Sequence, residues 1–292
     1  MEDIFIINPK SGVGGRLEEL KTAVKTRFPR ADIVLTRRAG HAKELAAQAA
    51  AEGRPRLIVC GGDGTINEAA QGLALSQTAL GVIPLGSGNG LARELGAPLD
   101  NFAAACNNIL TARPLRCDLG RANGEYFINL AGLGLEADIA AAFDERGKTG
   151  ARGKWPYFKI GAREFFNYRA PRAAVEFDGG KTINLRPLTL VFSNGRQYGS
   201  GFKIAPRASF NDGFLDMTVV ESQNIARLLL GLPNFFKEGL SPVEVRKFWR
   251  LKKAAVHIDG NFNYHIDGEP RRAKNLLEIE TAPAAISLLM RG

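Results

Sequence analysis

The stretch Cys60-Gly61-Gly62-Asp63-Gly64-Thr65-Ile66-Asn67-Glu68 constrains this chain more than any other. Residues 56–60 before it (RLIVC) are short, apolar and β-rich, which reads as a buried parallel strand. The residues from Asn67 onward read as the first turns of a helix. Between the two lie three glycines, one carboxylate and one hydroxyl. Glycine lets backbone approach a ligand closely and adopt positive φ. Backbone N–H groups gathered at a helix N-terminus attract anions. Asp63 would repel a bare phosphate, so its place here calls for a divalent cation or a hydroxyl awaiting deprotonation.

The flanking chain repeats the same rhythm. Strand-like runs at 4–7, 33–35, 56–60 and 79–83 alternate with helical spacing over 17–28, 41–52, 66–75 and 100–112. Such alternation with short loops predicts an open, mostly parallel sheet. Ligands of such sheets sit at the carboxyl ends of the strands. A second glycine-rich strand-to-helix loop, Pro84 to Arg93, falls on that same edge. After Pro114 strands dominate: 115–121, 125–131, 173–178, 183–193, 214–220, 253–259, 262–267 and 276–280. Asn123-Gly124 and Asp259-Gly260-Asn261 look like hairpin turns. The expected organisation is an α/β domain over 1–114 followed by an antiparallel β-sandwich over 115–280, with helical insertions.

Composition removes several classes. The three cysteines, Cys60, Cys106 and Cys117, are odd in number and lack metal spacing, which points to a reduced, cytoplasmic protein. His41, His257 and His265 are too scattered for a zinc site. No signal peptide and no membrane-spanning run is expected. The net charge of +9 favours anionic partners. No zinc-finger or RNP signature accompanies it, so nucleic acid is not expected. Neither Gly147-Lys148-Thr149 nor Gly180-Lys181-Thr182 completes a Walker A motif. Gly132-Leu133-Gly134 is read as a turn whose glycines line a substrate cleft.

Gly61 to Glu68 resembles the nucleotide motif of the diacylglycerol-kinase-like lipid kinases, a family that includes sphingosine and ceramide kinases. NAD kinases and phosphofructokinases share its shorter GGDG core. Further strings follow the family in order: Asn8-Pro9-Lys10-Ser11-Gly12, Thr36 to Ala42, Pro84 to Arg93, Ala205 to Asp216 and Asp267-Gly268-Glu269. The resemblance implies an NAD kinase/phosphofructokinase-like first domain, to which the last residues, about 281–292, return. It implies ATP, held by Asn8, Thr36, Gly61, Gly62, Asp63, Gly64, Thr65, Ile66, Asn67 and Ser87, with Mg²⁺ bound through Asp63. It also implies a structural Mg²⁺ held by the Asp212 side chain and the carbonyls of Ser209 and Phe214. Bacterial members usually continue Asn-Asp where this chain has Asn89-Gly90, so one link of the Asp63 network departs from the pattern.

The acceptor hydroxyl needs a positioned carboxylate to take its proton. Glu269 occupies the family's proposed base position, with Asp267 second; two apart on an extended segment, they would share one face. Residues 146–172 carry eight Lys/Arg against Glu164, interleaved with Trp155, Tyr157, Phe158, Phe165, Phe166 and Tyr168. Basic charge with interfacial aromatics suits peripheral docking on an anionic lipid surface. Residues 227–253 are a second such candidate. The expected activity is ATP-dependent phosphorylation of a lipid hydroxyl. A soluble-substrate kinase of the NAD kinase type and a non-catalytic lipid- or nucleotide-binding protein are the alternatives. A homodimer is left open.

Overall fold

A computed structural model describes residues 2–12, 14–147, 163, 165, 167–197, 203–221 and 246–291. The basic-aromatic residues 148–162 and most of 227–253 lie outside them.

The first lobe is a four-stranded parallel sheet in the order β2-β1-β3-β4. Its strands are β1 (Ile4–Ile7), β2 (Asp32–Leu35), β3 (Arg56–Gly61) and β4 (Ala79–Pro84). Side chains alternate across the pleat, so each strand feeds two cores. Ile4, Ile6, Leu57 and Val59 pack on α2 (His41–Ala51) and α3 (Asp63–Leu73). Phe5, Ile7, Ile58 and Cys60 pack on α1 (Leu17–Arg27) and on a helix over Phe102–Thr111. A short helix, α4 (Gly90–Glu94), precedes that one, which is therefore α5. Gly72 lets α2 and α3 touch: a Cβ there would stand 2.4 Å from the Lys43 carbonyl oxygen.

The second lobe is antiparallel. Its strands are β5 (Arg113–Ala122), β6 (Glu125–Phe127), β7 (Leu130–Gly134), β8 (Ala173–Phe177), β9 (Lys181–Leu185), β10 (Pro187–Ser193), β11 (Leu215–Glu221), β12 (Arg246–Leu251), β13 (Lys253–Ile266) and β14 (Glu269–Met290). One helix, α6 (Leu135–Gly147), leaves the end of β7. The lobes share β14. Its first part pairs with β13, its second with β5, and Ser287 and Leu288 pair in parallel with β4.

Two expectations change. The run 125–131 is two strands, because the amides of Ile128, Asn129 and Leu130 turn toward the Asp267 carboxylate. Asp259-Gly260-Asn261 is a bulge within β13 rather than a hairpin turn. The register shifts between Ile258 and Asn261, Gly260 takes φ +83°, and its N–H donates to Asn275 Oδ1 at 2.9 Å. Gly134 passes the chain from β7 into α6, with φ +125° and only 2.4 Å between a Cβ and the Leu188 carbonyl oxygen, and it lines a cavity of about 530 Å³ with Leu133, Asp138 and Phe262. Asn123-Gly124 is a two-residue hairpin turn at φ +46° and +85°, as its sequence predicts. No helix among the described residues is long and apolar enough to cross a membrane.

Candidate active site

The glycine string is itself the first turn of α3. The helix starts at Asp63 rather than near Asn67, with Gly62 as an extended N-cap at φ −92° and no side chain capping it. The first helical bond runs from Ile66 N–H to the Gly62 carbonyl, 3.1 Å. The N–H groups ahead of it have no partner within the helix. They present the positive end of the helix dipole to the mouth of the sheet.

Three loops close around this turn. Asn8 donates from Nδ2 to Thr65 Oγ1 at 2.9 Å. A Cβ on Gly86 would stand 2.9 Å from Gly62 Cα, and one on Gly12 only 2.3 Å from the Leu85 carbonyl oxygen. Gly12 also sits at φ +79°. Gly12→Ala therefore meets both strain and a backbone clash. It should cost about 2 kcal/mol, and a loss of roughly 4–8 °C in Tm by scanning fluorimetry is expected. An unchanged Tm would show that the two loops do not pack this way.

A cavity of about 330 Å³ opens over the turn, walled by Asn8, Thr36, Gly62, Gly64 and Thr65, with Lys10, Arg37 and Arg38 supplying positive charge. Gly61 is buried at the strand end beneath it. Asn67 is buried in α3, while Ser87 is exposed beyond β4 and lines neither this cavity nor the next. Glu68 has a role the sequence did not disclose. Its carboxylate accepts the N–H groups of Gly40 (2.8 Å) and Ala42 (3.2 Å), capping α2 and fixing the 36–40 loop to α3.

A second cavity of about 270 Å³ lies on the other side of α3, floored by Ile66, Leu91, Ile128 and Leu130 and edged by Asp63 and Asp267. Asp63 Oδ1 accepts the Gly90 N–H at 2.8 Å, and a Cβ on Gly88 would stand 2.8 Å from Oδ2. Burial pushes the Asp63 carboxyl up, and the amides of Gly90 and Asn89 pull it back. Asn89 takes φ +50° and donates from Nδ2 to the Gly86 carbonyl at 2.7 Å. Where the resemblance expects a second carboxylate after Asn89, this chain gives Asp63 a backbone amide.

Asp267-Gly268-Glu269 is not extended. Asp267 (φ +49°) and Gly268 (φ +87°) are the central pair of the β13–β14 turn, with Ile266 opposite Glu269. Asp267 turns inward: Oδ1 accepts the N–H groups of Asn129 (2.9 Å) and Leu130 (2.8 Å), and Oδ2 that of Ile128 (2.9 Å). Burial pushes its carboxyl up to about 6, these amides pull the other way, and the Asp63 charge adds to the rise. Glu269, exposed, points to the glycine turn. A Cβ placed on Gly64 would stand 3.0 Å from Glu269 Oε1. The carboxylate from the second lobe thus touches the turn from the first on the wall of the charged cavity, and their chain neighbours Gly268 and Asp63 line the apolar one.

Known proteins match in both lobes. The model of the diacylglycerol kinase catalytic domain matches residues 3–122, and that of the YegS C-terminal NAD kinase beta sandwich-like domain matches 130–290. A diacylglycerol kinase of Mycobacterium tuberculosis is 32% identical, covering 97% of this chain and 93% of its own length. The chain belongs to the diacylglycerol kinase-like lipid kinase family. A probable YegS-like lipid kinase of Pseudomonas putida is 34% identical over 88% of this chain and 84% of its own. The crystal structure of a putative diacylglycerol kinase from Bacillus anthracis superposes with a TM-score of 0.79 at 26% identity, covering 99% and 97% of the two chains.

In this diacylglycerol kinase-like chain the loop expected to hold a structural Mg²⁺ is closed by other means. Asp212 Oδ1 accepts the Phe214 N–H at 3.0 Å, and Oδ2 pairs with the Arg250 guanidinium at 2.5 Å. Ser209 spends its hydroxyl on Asn211 Oδ1 at 3.0 Å. Asp118 ties the loop down, accepting the N–H groups of Gly213 (2.7 Å) and Ala284 (2.8 Å). The donors expected there are the Asp212 carboxylate and the carbonyls of Ser209 and Phe214, and a cation would have to displace Arg250 from Asp212 Oδ2. Among the described residues no group of three or more Asp, Glu, His or Cys side chains is placed to hold a metal. Asp63 differs: it is partly buried, no Lys or Arg pairs with it among the described residues, and a divalent cation would relieve its burial.

Proposed function

We propose that this protein transfers the γ-phosphoryl group of ATP to the hydroxyl of a lipid of the diacylglycerol or sphingoid type. The observation that carries the reading is the contact of Glu269 with Gly64 in the wall of a charged cavity, one residue from Gly268 and Asp63, which line an apolar one. The open N–H groups of the α3 turn, with Lys10, Arg37 and Arg38, suit a polyphosphate. Ile66, Leu91, Ile128 and Leu130 suit the apolar neighbourhood of a lipid hydroxyl. Glu269 takes the proton as that hydroxyl attacks. Mg²⁺ accompanying the nucleotide would be held through Asp63 and would neutralise phosphate charge. The relatives named above as diacylglycerol and lipid kinases support the acceptor class. The net charge of +9 supports peripheral docking on an anionic membrane surface in the cytoplasm.

The test offers labelled ATP and Mg²⁺ with a mixed lipid extract in liposomes, and NAD in parallel. Label is expected in a lipid product, identified by mass spectrometry. Label in NAD and in no lipid would overturn the assignment.

A further inference from the structure

The face of α3 that carries Gly64 also carries Glu68 and Gln71, four and seven residues on. On β14, Glu269 and Arg271 are two apart and share a face. These two faces touch at one end and are bridged through β6 at the other. At one end Glu269 lies on Gly64. At the other, the Arg271 guanidinium forks onto Glu125 of β6, from Nε to Oε2 at 3.0 Å and from Nη2 to Oε1 at 2.6 Å. Gln71 Nε2 donates to Glu125 Oε1 at 3.3 Å, and Lys43 Nζ of α2 donates to Gln71 Oε1 at 3.0 Å. A polar chain, Lys43–Gln71–Glu125–Arg271, thus crosses from the parallel lobe to the hairpin and ends two residues from Glu269.

We propose that the Glu125–Arg271 pair, hung from Gln71, is a positioning device for Glu269: it fixes the spacing of β14 from α3 and keeps the Arg271 guanidinium off the Glu269 carboxylate. This rests on Glu269 being the proton acceptor. A forked guanidinium–carboxylate pair has a defined geometry, which suits it to setting a distance. Arg271 is held charged chiefly by its bond to Glu125, and Glu269 adds to the same effect, so the two acids compete for one cation. Glu125 in turn is held ionised by Arg271 first, then by Gln71 and Lys43. Without Glu125, the nearest acid left to Arg271 along its own strand face is Glu269.

The variants are Glu125→Gln and Arg271→Lys, with Arg56→Lys as the control. Arg56 forks onto Asp3, remote from both cavities. Glu125→Gln is expected to lower kcat by about tenfold to a hundredfold, with KM for ATP within about twofold, because the nucleotide cavity is walled by other residues. Arg271→Lys, keeping charge but not the fork, loses less. Arg56→Lys lowers Tm without moving kcat. Unchanged kcat in Glu125→Gln, or an equal loss in the control, overturns the proposal. Hydrogen exchange needs no turnover: the amides of 63–66 and 267–271 should exchange faster in Glu125→Gln. Unchanged exchange overturns the device whatever the activity. If the wild type phosphorylates no lipid yet exchange rises, the catalytic reading fails and the latch between lobes stands.

Discussion

Glu269→Gln is expected to lower kcat by about 10²–10⁴-fold, the range a positioned proton acceptor contributes. Glutamine keeps the length and the planar end of the side chain, so the contact with Gly64 and the β13–β14 pairing survive. What is lost, on the function proposed above, is the anion that receives the proton of the attacking hydroxyl. KM for ATP should hold or fall, because Glu269 itself lines the cavity proposed for the nucleotide and its loss removes a negative charge there, while Lys10, Arg37 and Arg38 and the loops at Asn8, Gly62 and Thr65 are untouched. Tm should also hold, since Glu269 is exposed and forms no ion pair among the described residues. Steady-state kinetics with varied ATP at saturating lipid separates the two constants. A Glu269→Gln enzyme with wild-type kcat would remove the base from this residue. A matched loss in kcat and ATP affinity would make Glu269 a part of the phosphate site instead.

Some of this site could be read from the chain because its causes are local. A Cβ on Gly61 would meet the Thr65 side chain at 2.8 Å and one on Gly64 the Glu269 carboxylate at 3.0 Å, while one on Gly62 would make only ordinary contact, 3.5 Å from Gly86 Cα. The Asn123-Gly124 hairpin declares itself through its φ requirement. The same local grammar misleads at Asp259-Gly260-Asn261, where long-range pairing of β13 with β14 continues through the glycine and turns it into a bulge. Other features have their cause far away in sequence. The break between β6 and β7 exists because Asp267, 137 to 139 residues distant, takes three amides from it. Glu68 caps a helix 26 to 28 residues upstream. Asp212 reads as a metal ligand in the sequence, and its ion-pair partner Arg250 stands 38 residues on. A strand of 22 residues that includes Pro283 was beyond reach, because the bend around Ala284 (φ +49°) lets β14 leave β13 and continue along β5 to β4.

Asp267 is expected to show the opposite separation from Gly12, keeping the fold while losing the chemistry. Asparagine tolerates the left-handed backbone that Asp267 adopts at φ +49°. Its Oδ1 can still accept Asn129 and Leu130, leaving Nδ2 against the Ile128 N–H. Against that one mismatch stands the removal of a charge that burial opposes. Burial holds the Asp267 carboxyl up at about 6, above the ordinary aspartate near 3.9, so between about pH 4 and 6 the folded chain binds a proton that the unfolded chain has released. The contribution of this group to stability is therefore greatest below about pH 4, falls as pH rises to about 6, and is flat beyond. Asp267→Asn should leave Tm at pH 8 within about 3 °C of the wild type or raise it, and should flatten this portion of the stability profile. Activity should respond in the other direction. Asp63 edges the same cavity with its own carboxyl pushed up by burial, while His265, buried at the end of β13 and driven down to about 4, stays neutral near pH 6. The wild-type kcat/KM should thus rise with pH through about 6 as Asp267 loses its proton, the Asp63 charge adding to the rise of that carboxyl. Asp267→Asn should lack the Asp267 part of that limb and stay low, by about 10²-fold at pH 8, because an ionised carboxylate no longer holds the hairpin to the 128–130 amides beside Glu269. An Asp267→Asn enzyme with both the wild-type rate and the wild-type acid limb would show that the buried charge serves neither the turn nor the reaction.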